Sequence, residues 1–350
     1  MALSQQQRQQ ILDLTQASSI ADIQLIQNLW SGYGQLLRLS LNGGKYSSVI
    51  VKYIAIPESQ LAAKPHPKGW NTELSHQRKV NSYQVEYAWY KEFAKLCSNE
   101  SYLPQCLLAE KQSNNMLLVL EDLHTKGFDK VISQASHSHI SACLYWLGQF
   151  HGHFLWQQST ADNPCINDKL WQQGGYWHLA TRPDELAALA DNKLKQAAHQ
   201  MDALLSQCDY QTVVHGDAKL ANFCFNQQGT QAAAVDFQYV GYGCGMKDVA
   251  LFLSSVLTFD ETDEQVENYL KLYFNSLRQA AKQHQGIELD ALESSWRALF
   301  PVAWADFQRF IKGWSPQHVK INPFTERLTQ QALTSLPKLM AENSERLGNR

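Results

Sequence analysis

Two short stretches of the sequence carry polar side chains at a spacing suited to phosphoryl transfer. The stretch 213–225 contains Asp217, with Lys219 two residues later and Asn222 five residues later. An apolar run just downstream ends in Asp236. Transfer of a phosphoryl group from ATP to a hydroxyl requires an acceptor for the hydroxyl proton, a cation on the moving phosphate and oxygen ligands for Mg²⁺. These four side chains provide a complete set.

The motifs resemble those of kinase-like phosphotransferases that act on small molecules, among them the aminoglycoside phosphotransferases and the choline kinases. The tripeptides HGD at 215–217 and DFQ at 236–238 are most similar to the ecdysteroid-kinase-like (CHK kinase-like) family. The resemblance implies an α+β, bilobal protein-kinase-like fold, with a small β-rich N-terminal lobe and a larger, mainly helical C-terminal lobe. A competing interpretation, in which His215 and Asp217 merely cap a turn, leaves the spacing of the other polar residues unexplained.

The resemblance also implies a role for each polar residue. Asp217 accepts or orients the hydroxyl proton, and Lys219 stabilises charge on the transferred phosphoryl group. Asn222 and Asp236 hold Mg²⁺. Asp248, further downstream, holds the backbone of the catalytic loop and takes no part in the chemistry.

Lys52 is the candidate for positioning the nucleotide phosphates. It lies in the β-branched run 49–54, and buried strands seldom carry an unpaired lysine. The alternative is a lysine on a solvent-facing strand edge. In the kinase resemblance Lys52 contacts the α- and β-phosphates of ATP and pairs with a glutamate on the next helix. That helix is predicted over 72–96, with Glu86 as the preferred partner and Glu92 as the alternative.

A glycine-containing turn is predicted between the first two strands of the N-terminal lobe. The sequence from Leu29 to about 54 indicates three strands, with a turn at 31–34 between the first two and a tight turn at 42–44 before the third. Gly32 and Gly34 would let backbone N–H groups approach the nucleotide phosphates closely. The full GxGxxG pattern is absent, and a plain hairpin would show the same residues.

The apolar strand 116–120 is expected to lead into the connection between the lobes. It is followed by Glu121 and then Leu123, and in the resembling fold the main chain of this segment binds the adenine edge. We therefore expect a hinge at 121–123, an N-terminal lobe over 1–120 and a C-terminal lobe over 124–350.

The segment 64–81 is rich in Lys, Arg and His and contains two prolines. The simpler interpretation is a solvated connector between strand and helix. The alternative is a flap that helps to hold phosphate near Gly32 and Gly34.

Outside these motifs the hydrophobic periodicity predicts mainly helices. Residues 1–28 are expected to form one or two short amphipathic helices, with Ser18 or Ser19 as a cap. His151 and His153 lie two residues apart and point to different sides of a helix, which favours core packing or solvent over a metal site. Further helices are predicted over 139–157, from 183 to about 205, over 249–259, and three or so over 264–350.

The aromatic stretch 301–314 is the candidate acceptor-binding region. Its four aromatic residues recur at helical spacing, which is most typical of a core stripe: Trp304, Phe307, Phe310 and Trp314. Asp306 and Arg309 beside them either line an acceptor pocket or are structural. The mixed charges and the tryptophans of the C-terminal third favour an acceptor more apolar than a polycationic aminoglycoside.

Two rival functions stay open. One is the same chemistry on an aminoglycoside-type or choline-type acceptor. The other is a catalytically inactive nucleotide-binding or partner-binding module on the same fold. Against the inactive module, every expected catalytic position holds a competent residue.

Composition excludes several classes of partner. A net charge of −3 over 350 residues gives no basic footprint for nucleic acid. The seven cysteines form no CxxC pair, which is typical of reduced thiols in the cytoplasm. The Gln-rich N-terminus does not resemble a signal peptide, and the most apolar window, 249–259, is too short to cross a membrane. We therefore expect a cytoplasmic protein whose ligands are ATP, Mg²⁺ and a hydroxylated small molecule.

Overall fold

The computed structural model describes residues 3–29, 32–56, 68–70, 72–158, 168–258, 260 and 262–348. Its N-terminal part begins with the helix α1 Gln5–Thr15 and contains five strands, with a second helix between the third and the fourth. The strands are β1 Ser19–Asn28, β2 Gly34–Asn42, β3 Ser48–Ala55, β4 Cys106–Gln112 and β5 Asn115–Glu121. The five strands form one antiparallel sheet in the order β1-β2-β3-β5-β4. This order places β3 at the centre of the sheet.

The two faces of β3 have different surroundings. Val49 and Val51 are buried with Ile11 of α1 and Leu39 of β2 in one apolar cluster. Because successive side chains of a strand point to opposite faces, Lys52 lies on the other face of the sheet. The central strand β3 thus carries Lys52 on the face of the sheet opposite the apolar cluster with α1.

The prediction of helices over 1–28 is right for α1 and wrong for β1. Ser19–Asn28 is a strand paired with β2, and its register is interrupted by bulges at Ile20/Asp22 and Leu25/Gln27. Each bulge adds a residue and breaks the period of two, so the apolar spacing resembles that of a helix. Ser4 caps α1 by accepting a hydrogen bond from the backbone N–H of Gln7, whereas the predicted cap at Ser18 or Ser19 is wrong because β1 begins at Ser19.

The helix predicted over 72–96 is present but changes its winding. It begins as α2, Thr72–Ala88, continues as one π-helical turn, Trp89–Phe93, and ends as a 3₁₀ turn, Ala94–Leu96. The Trp89 ring stacks on the ring of Phe237 at a centroid distance of 5.0 Å. This contact joins the end of α2 to the segment that carries Asp236.

The C-terminal part is mainly helical. Its longer elements are α3 His137–His153, α4 Pro183–Ala188, α5 Asn192–Gln207, α6 Met246–Val256, α7 Asp263–Ala281, α8 Leu289–Trp314 and α9 Pro323–Gly348. Its strands are short: β6 Trp156–Gln157, β7 Tyr210–Val214, β8 Phe223–Phe225, β9 Ala232–Ala234 and β10 Gly241–Gly243. The structure confirms the predicted α+β class, with a β-rich N-terminal part and a mainly helical C-terminal part.

Two predicted helices have different ends in the structure. The core helix α3 ends at His153, before 157, because the chain enters β6. The helix predicted from 183 to about 205 is two helices, since Asp191 accepts a hydrogen bond from the backbone N–H of Leu194 and starts α5. In the part of the chain that the structure describes, no helix has the length and apolarity to cross a bilayer.

Candidate active site

Asp248, in the first turn of α6, holds the loop that follows β7. Its carboxylate accepts hydrogen bonds from the backbone N–H groups of His215, at 2.5 Å, and Gly216, at 2.9 Å. His151 Nε2 lies 3.1 Å from the same carboxylate. All four residues are buried or nearly so. The contacts confirm that Asp248 holds the backbone of the loop.

His151 and His153 of α3 contact different structural partners. The second ring nitrogen of His151 lies 2.8 Å from the hydroxyl of Tyr273. His153 Nε2 lies 2.6 Å from the backbone oxygen of Leu96. Among the described residues, no group of three or more His, Cys, Asp or Glu side chains is arranged to hold a metal ion.

Gly216 and His215 fix the path of the loop. Gly216 has φ +79°, and a Cβ there would lie 2.0 Å from the backbone oxygen of Tyr239, so a larger residue would displace one of the two segments. His215 Nδ1 accepts a hydrogen bond from the backbone N–H of Asp217, and its Nε2–H donates to the backbone oxygen of Val235. Burial lowers the pKa of His215. A neutral ring with one donor and one acceptor matches both partners.

Asp217 has one occupied and one free carboxylate oxygen. Its Oδ2 accepts hydrogen bonds from Lys219 Nζ at 2.8 Å and Asn222 Nδ2 at 3.0 Å. Its Oδ1 is buried and has no hydrogen-bond partner among the described residues. Burial raises the pKa of Asp217 to about 6, against the attraction of Lys219. An oriented carboxylate with a free oxygen can accept the proton of an incoming hydroxyl.

Asn222 is held in one orientation by its side-chain nitrogen. Nδ2 donates to the backbone oxygen of Asp217 at 2.8 Å as well as to its carboxylate. Because both partners are acceptors, the nitrogen and oxygen of the amide cannot be exchanged. The side-chain oxygen of Asn222 is therefore directed away from Asp217.

Asp236 occupies a left-handed backbone conformation, with φ +68°. Gln238 Nε2 donates to its Oδ1 at 2.8 Å, and Lys52 Nζ lies 3.4 Å from the same oxygen. Burial opposes ionisation, but the cations Lys52 and Lys219 outweigh it and lower the pKa of Asp236. Asp tolerates this conformation better than most residues, yet such positions cost of order 1–3 kcal/mol and are common at functional sites.

The oxygens of Asn222 and Asp236 fit a hard divalent cation. One is a neutral amide oxygen and the other belongs to an ionised carboxylate, and Mg²⁺ prefers a few such ligands together with phosphate oxygens and waters. Neither residue is a nitrogen or sulfur donor. The donor set therefore suits Mg²⁺ better than zinc or copper.

Lys52 and Glu86 form a buried ion pair. Lys52 Nζ lies 2.8 Å from Oε1 and 2.6 Å from Oε2 of Glu86, and the two residues are only 5% and 2% exposed. Burial opposes the charge on Lys52, but Glu86 and Asp236 outweigh it and raise the pKa of Lys52. The alternative partner, Glu92, instead contacts Lys169 at the surface. The structure thus brings Lys52 together with Glu86 and Asp236, and not with Glu92.

The glycine turn lies between β1 and β2, as predicted, although Trp30 and Ser31 are outside the described residues. The backbone N–H of Gly32 donates to the oxygen of Leu29. Gly34 begins β2, and a Cβ there would lie 1.9 Å from the backbone oxygen of Tyr53 in β3. Gly34 is therefore required by the close approach of two strands, whereas a Cβ at Gly32 would meet open space.

The segment after β5 is fixed by an aspartate that sequence reasoning missed. Asp122 accepts hydrogen bonds from Arg38 of β2 at 2.8 Å and from the Ser48 hydroxyl at 2.7 Å. Glu121 accepts a hydrogen bond from the Tyr102 hydroxyl, and Leu123 starts a 3₁₀ turn. Glu121 and Leu123 thus flank a residue that ties the segment to the sheet.

A second set of side chains lies near Asp217. Three of its members were missed from the sequence, whereas Phe310 belongs to the predicted acceptor-binding stretch 301–314 and Arg78 to the basic segment 64–81. The backbone N–H of Tyr176 donates to the oxygen of Gly216 at 3.1 Å, directly before Asp217. We name Arg78, Tyr176, Arg182, Phe310 and Lys320 the acceptor side. We name Lys52, Glu86, Asp217, Lys219, Asn222 and Asp236 the catalytic side.

The acidic residue proposed to line an acceptor pocket is buried instead. Asp306 accepts hydrogen bonds from Arg309 at 2.9 Å and from the indole N–H of Trp177 at 2.9 Å. Both members of the Asp306–Arg309 pair are at most 2% exposed. Of the four aromatic residues predicted in 301–314, Trp304, Phe307 and Phe310 are buried. Trp314 is 40% exposed.

Apart from Arg78, the basic segment 64–81 carries no assignment, and neither does a cavity beside α2. Of the basic segment 64–81, residues 64–67 and 71 lie outside the described residues. A cavity of about 700 Å³ lies between α2 and the segment 168–178, lined among others by Tyr87 and Trp171. It is lined by no residue of the catalytic side.

Comparison with known proteins identifies relatives for the chain. Residues 74–284 match the APH phosphotransferase enzyme family. The structure is similar to that of an amicoumacin kinase in complex with AMP-PNP, Ca²⁺ and Ami, at 13% identity, 95% and 93% coverage of the two chains and a TM-score of 0.51. Among curated proteins no sequence matches the chain.

Two further solved structures are similar at lower scores. One is the AMP-bound complex of a spectinomycin phosphotransferase, with 12% identity, 95% and 94% coverage and a TM-score of 0.45. The other is a choline/ethanolamine kinase family protein from Mesorhizobium loti, with 11% identity, 95% and 93% coverage and a TM-score of 0.43.

Proposed function

Because this chain belongs to the phosphotransferase enzyme family, we propose that it uses ATP to phosphorylate a hydroxyl group of a small molecule. The observation that carries the proposal is the Asp217 carboxylate. One of its oxygens is held by Lys219 and Asn222, and the other is buried without a hydrogen-bond partner in the part of the chain that the structure describes. A buried oxygen without a partner is costly in a resting protein, and a substrate hydroxyl would remove that cost.

In the proposed reaction the acceptor oxygen forms a bond to the γ-phosphorus, and the bond from that phosphorus to the bridging oxygen of ADP breaks. The hydroxyl proton passes to Oδ1 of Asp217. Lys219 stabilises charge on the transferred group. Asn222 and Asp236 would hold Mg²⁺, which supplies charge neutralisation at the phosphates. Since such a transition state is loose, positioning and charge neutralisation account for most of the acceleration.

Nucleotide positioning is proposed for the N-terminal residues. Lys52, fixed by Glu86, would contact the α- and β-phosphates, and the turn with Gly32 and Gly34 would cover them. The main chain at Glu121 and Leu123 would bind adenine as the hinge between lobes 1–120 and 124–350. The rigid attachment of this segment through Asp122 supports the hinge, because a fixed backbone can present constant donors and acceptors.

We further propose that the chain is ecdysteroid-kinase-like within its family. The DFQ motif supports this, because Gln238 holds Asp236 with its Nε2 and accepts a hydrogen bond from Ser82 of α2 with its Oε1. A glycine at 238 would supply neither contact. The reduced-thiol composition supports a cytoplasmic enzyme.

The test is a screen for ADP release with hydroxylated metabolites, with steroid-like, choline-like and aminoglycoside acceptors side by side. We expect acceptor-dependent ADP release that requires Mg²⁺ and is lost in Asp217→Asn. A protein that binds Mg²⁺–ATP yet releases no ADP with any acceptor would favour the inactive module.

A further inference from the structure

Three cations of the acceptor side approach the catalytic loop from three separate elements. Arg78 comes from α2, Arg182 from the turn before α4, and Lys320 from the connection between α8 and α9. The backbone contact of Tyr176 with Gly216 fixes the segment that bears Arg182 against the loop. None of the three belongs to a motif used in the proposed chemistry.

Arg78 and Arg182 are held next to each other. Arg78 Nη1 donates to the backbone oxygen of Thr181 at 2.8 Å. Arg182 Nε donates to the backbone oxygen of Tyr176 at 2.7 Å, and its Nη1 contacts Glu185 at 3.1 Å. Burial, and then the charge of Arg182, lowers the pKa of Arg78. The positive charges of Arg78 and Arg182 are thus held close together, with the carboxylate of Glu185 beside them.

Lys320 follows the catalytic loop in sequence, whereas Arg78 and Arg182 precede it. In space Lys320 lies near Asp217 of the loop. Its Nζ donates to the hydroxyl of Ser254 at 3.1 Å and lies 5.2 Å from the ring centre of Phe307. Burial, and then the charge of Lys219, lowers the pKa of Lys320 to about 8, whereas Asp217 acts in the opposite direction. Lys320 is therefore a partly desolvated cation within electrostatic reach of the catalytic loop.

Aromatic rings lie among these cations. The Arg182 guanidinium lies 5.0 Å from the ring centre of Phe310, and Tyr176 packs edge-on against Phe310 at 5.5 Å. The Phe310 ring stacks on the exposed ring of Trp314 at 6.1 Å. The surface next to Asp217 is therefore apolar in its rings and positive in its charged groups.

The charges of this surface are unbalanced. Among the described residues, Glu185 is the carboxylate beside Arg78 and Arg182, whereas the carboxylate near Lys320 is Asp217, which is already engaged by Lys219. Burying a cation without a counter-charge is unfavourable, and an anionic ligand would remove that cost. A polycationic ligand would meet repulsion instead.

We infer that the acceptor is an anionic, partly apolar alcohol, whose carboxylate or phosphate is bound by Lys320 and the Arg78–Arg182 pair while its hydroxyl meets Asp217. The inference rests on the proposed kinase function and adds the class of substrate to it. The apolar part of the acceptor would pack on Tyr176 and Phe310. Guanidinium and ammonium groups suit both kinds of anion, so the inference covers both.

The experiment compares matched alcohols on one ring skeleton. The acid probes are 4-(hydroxymethyl)benzoate and 4-(hydroxymethyl)phenyl phosphate, the neutral probe is the methyl ester of the benzoate, and the cationic probe is 4-(aminomethyl)benzyl alcohol. ADP release with Mg²⁺–ATP gives kcat/KM, and the melting temperature of the protein loaded with Mg²⁺–AMP-PNP gives binding without turnover. The benzoate and phosphate arms separate the two anions.

Wild-type protein should prefer an acid probe to the ester, and the ester to the amine. Lys320→Gln should lower kcat/KM for that acid by on the order of 10- to 100-fold, mainly through KM, and should lower it far less for the ester. Lys320→Arg should restore most of the preference for the acid. The matched control is Lys338→Gln, an exposed lysine that pairs with Glu342 on α9, and it should change nothing.

The inference is overturned if the ester or the amine is preferred, if Lys320→Gln lowers all probes equally, or if no acid probe binds or reacts at millimolar concentration. Failure of the proposed function looks different. In that case Mg²⁺–AMP-PNP itself would leave the melting temperature unchanged, or no alcohol of any charge would release ADP.

Discussion

The catalytic side and the acceptor side of the site are charged in different ways. On the catalytic side Lys52 lies 2.6 Å from an oxygen of Glu86 and Lys219 lies 2.8 Å from an oxygen of Asp217. On the acceptor side Arg182 pairs with Glu185, but Arg78 donates to a backbone oxygen and Lys320 to a serine hydroxyl. On the catalytic side, where the same nucleotide and metal would bind in every reaction, the protein neutralises its cations with its own carboxylates. Where the acceptor would bind, it leaves positive charge for the ligand to balance.

This difference separates the effects of substitutions. A change on the catalytic side should lower turnover with every acceptor, because the same phosphates and metal are used each time. A change on the acceptor side should alter the choice of acceptor and leave nucleotide binding intact. A catalytic-side substitution that altered the choice of acceptor, or an acceptor-side substitution that weakened nucleotide binding, would contradict this difference between the two sides.

The largest effect is expected at Asp236. Asp236→Asn removes a formal charge from the proposed Mg²⁺ site, and a metal ion contributes several kcal/mol at such a transition state. Turnover at low Mg²⁺ should fall by about 10³-fold and recover partly as Mg²⁺ is raised. Asn222→Ala removes a neutral ligand and should cost less. Steady-state assays over a Mg²⁺ series measure both, and wild-type turnover with wild-type Mg²⁺ dependence in Asp236→Asn would contradict the assignment.

Asp248 should govern stability more than chemistry. In Asp248→Asn an uncharged amide replaces a fully buried carboxylate that holds two backbone N–H groups and faces His151. The free energy of unfolding should fall by about 3 kcal/mol. Urea denaturation checks this, with Asp290→Asn as the exposed control. Equal stability of the two variants would show that Asp248 does not hold the loop.

Lys52 and Glu86 should behave as one unit. Lys52→Gln and Glu86→Gln should each weaken turnover, and the double variant should lose less than the sum, with a coupling of about 2 kcal/mol. Glu92→Gln is the control, since Glu92 pairs with Lys169 at the surface. Strict additivity between Lys52 and Glu86 would place the functional partner of Lys52 elsewhere.

The smallest effect concerns pH on the acceptor side. The charged or titratable groups near Lys320 are Lys219 and Asp217 of the loop and His318 of its own segment. Because the pKa of Lys320 is lowered to about 8, its charge is lost as pH rises through that value. The preference for an acid over its ester should therefore fall, by up to about tenfold, between about pH 7 and about pH 9.

Lys320→Arg separates this loss of charge from other effects of pH. A guanidinium stays charged over the whole interval, so the preference in this variant should stay flat. A wild-type preference that stays flat or rises with pH would remove Lys320 from acceptor binding.

The catalytic side could be predicted because much of it lies in one short segment. Asp217, Lys219 and Asn222 are separated by a few residues, and this spacing brings their side chains into contact. The pairing of Lys52 with Glu86 required one assumption, that a helix follows β3 and packs under it. A lone cation in a β-branched run was sufficient to raise that hypothesis.

The acceptor side could not be predicted as a set, because its members come from distant segments, although the stretches that carry Phe310 and Arg78 were both noted in the sequence. Arg78 and Lys320 are separated by most of the chain, and no local pattern fixes their distance to Asp217. For Asp306 the sequence left a pocket wall and a structural role open, and its burial with hydrogen bonds from Arg309 and Trp177 supports the structural role. The strand β1 was missed because its bulges disguise the period of two.

The central claim is that Asp217 accepts the hydroxyl proton in a nucleotide-dependent transfer. Asp217→Asn keeps the size of the side chain and its contacts with Lys219 and Asn222. The variant should melt no lower than wild type, because burial of the charge raises the pKa of Asp217 to about 6 and the amide removes that charge.

The deciding measurement is a calorimetric titration of Asp217→Asn and wild type with Mg²⁺–AMP-PNP, paired with ADP release on one acceptor. We expect nearly equal nucleotide affinity and a drop in phosphoryl transfer of on the order of 10²-fold or more. Loss of nucleotide binding together with activity would make Asp217 a structural residue or a metal ligand. Transfer at the wild-type rate would contradict its role as the base.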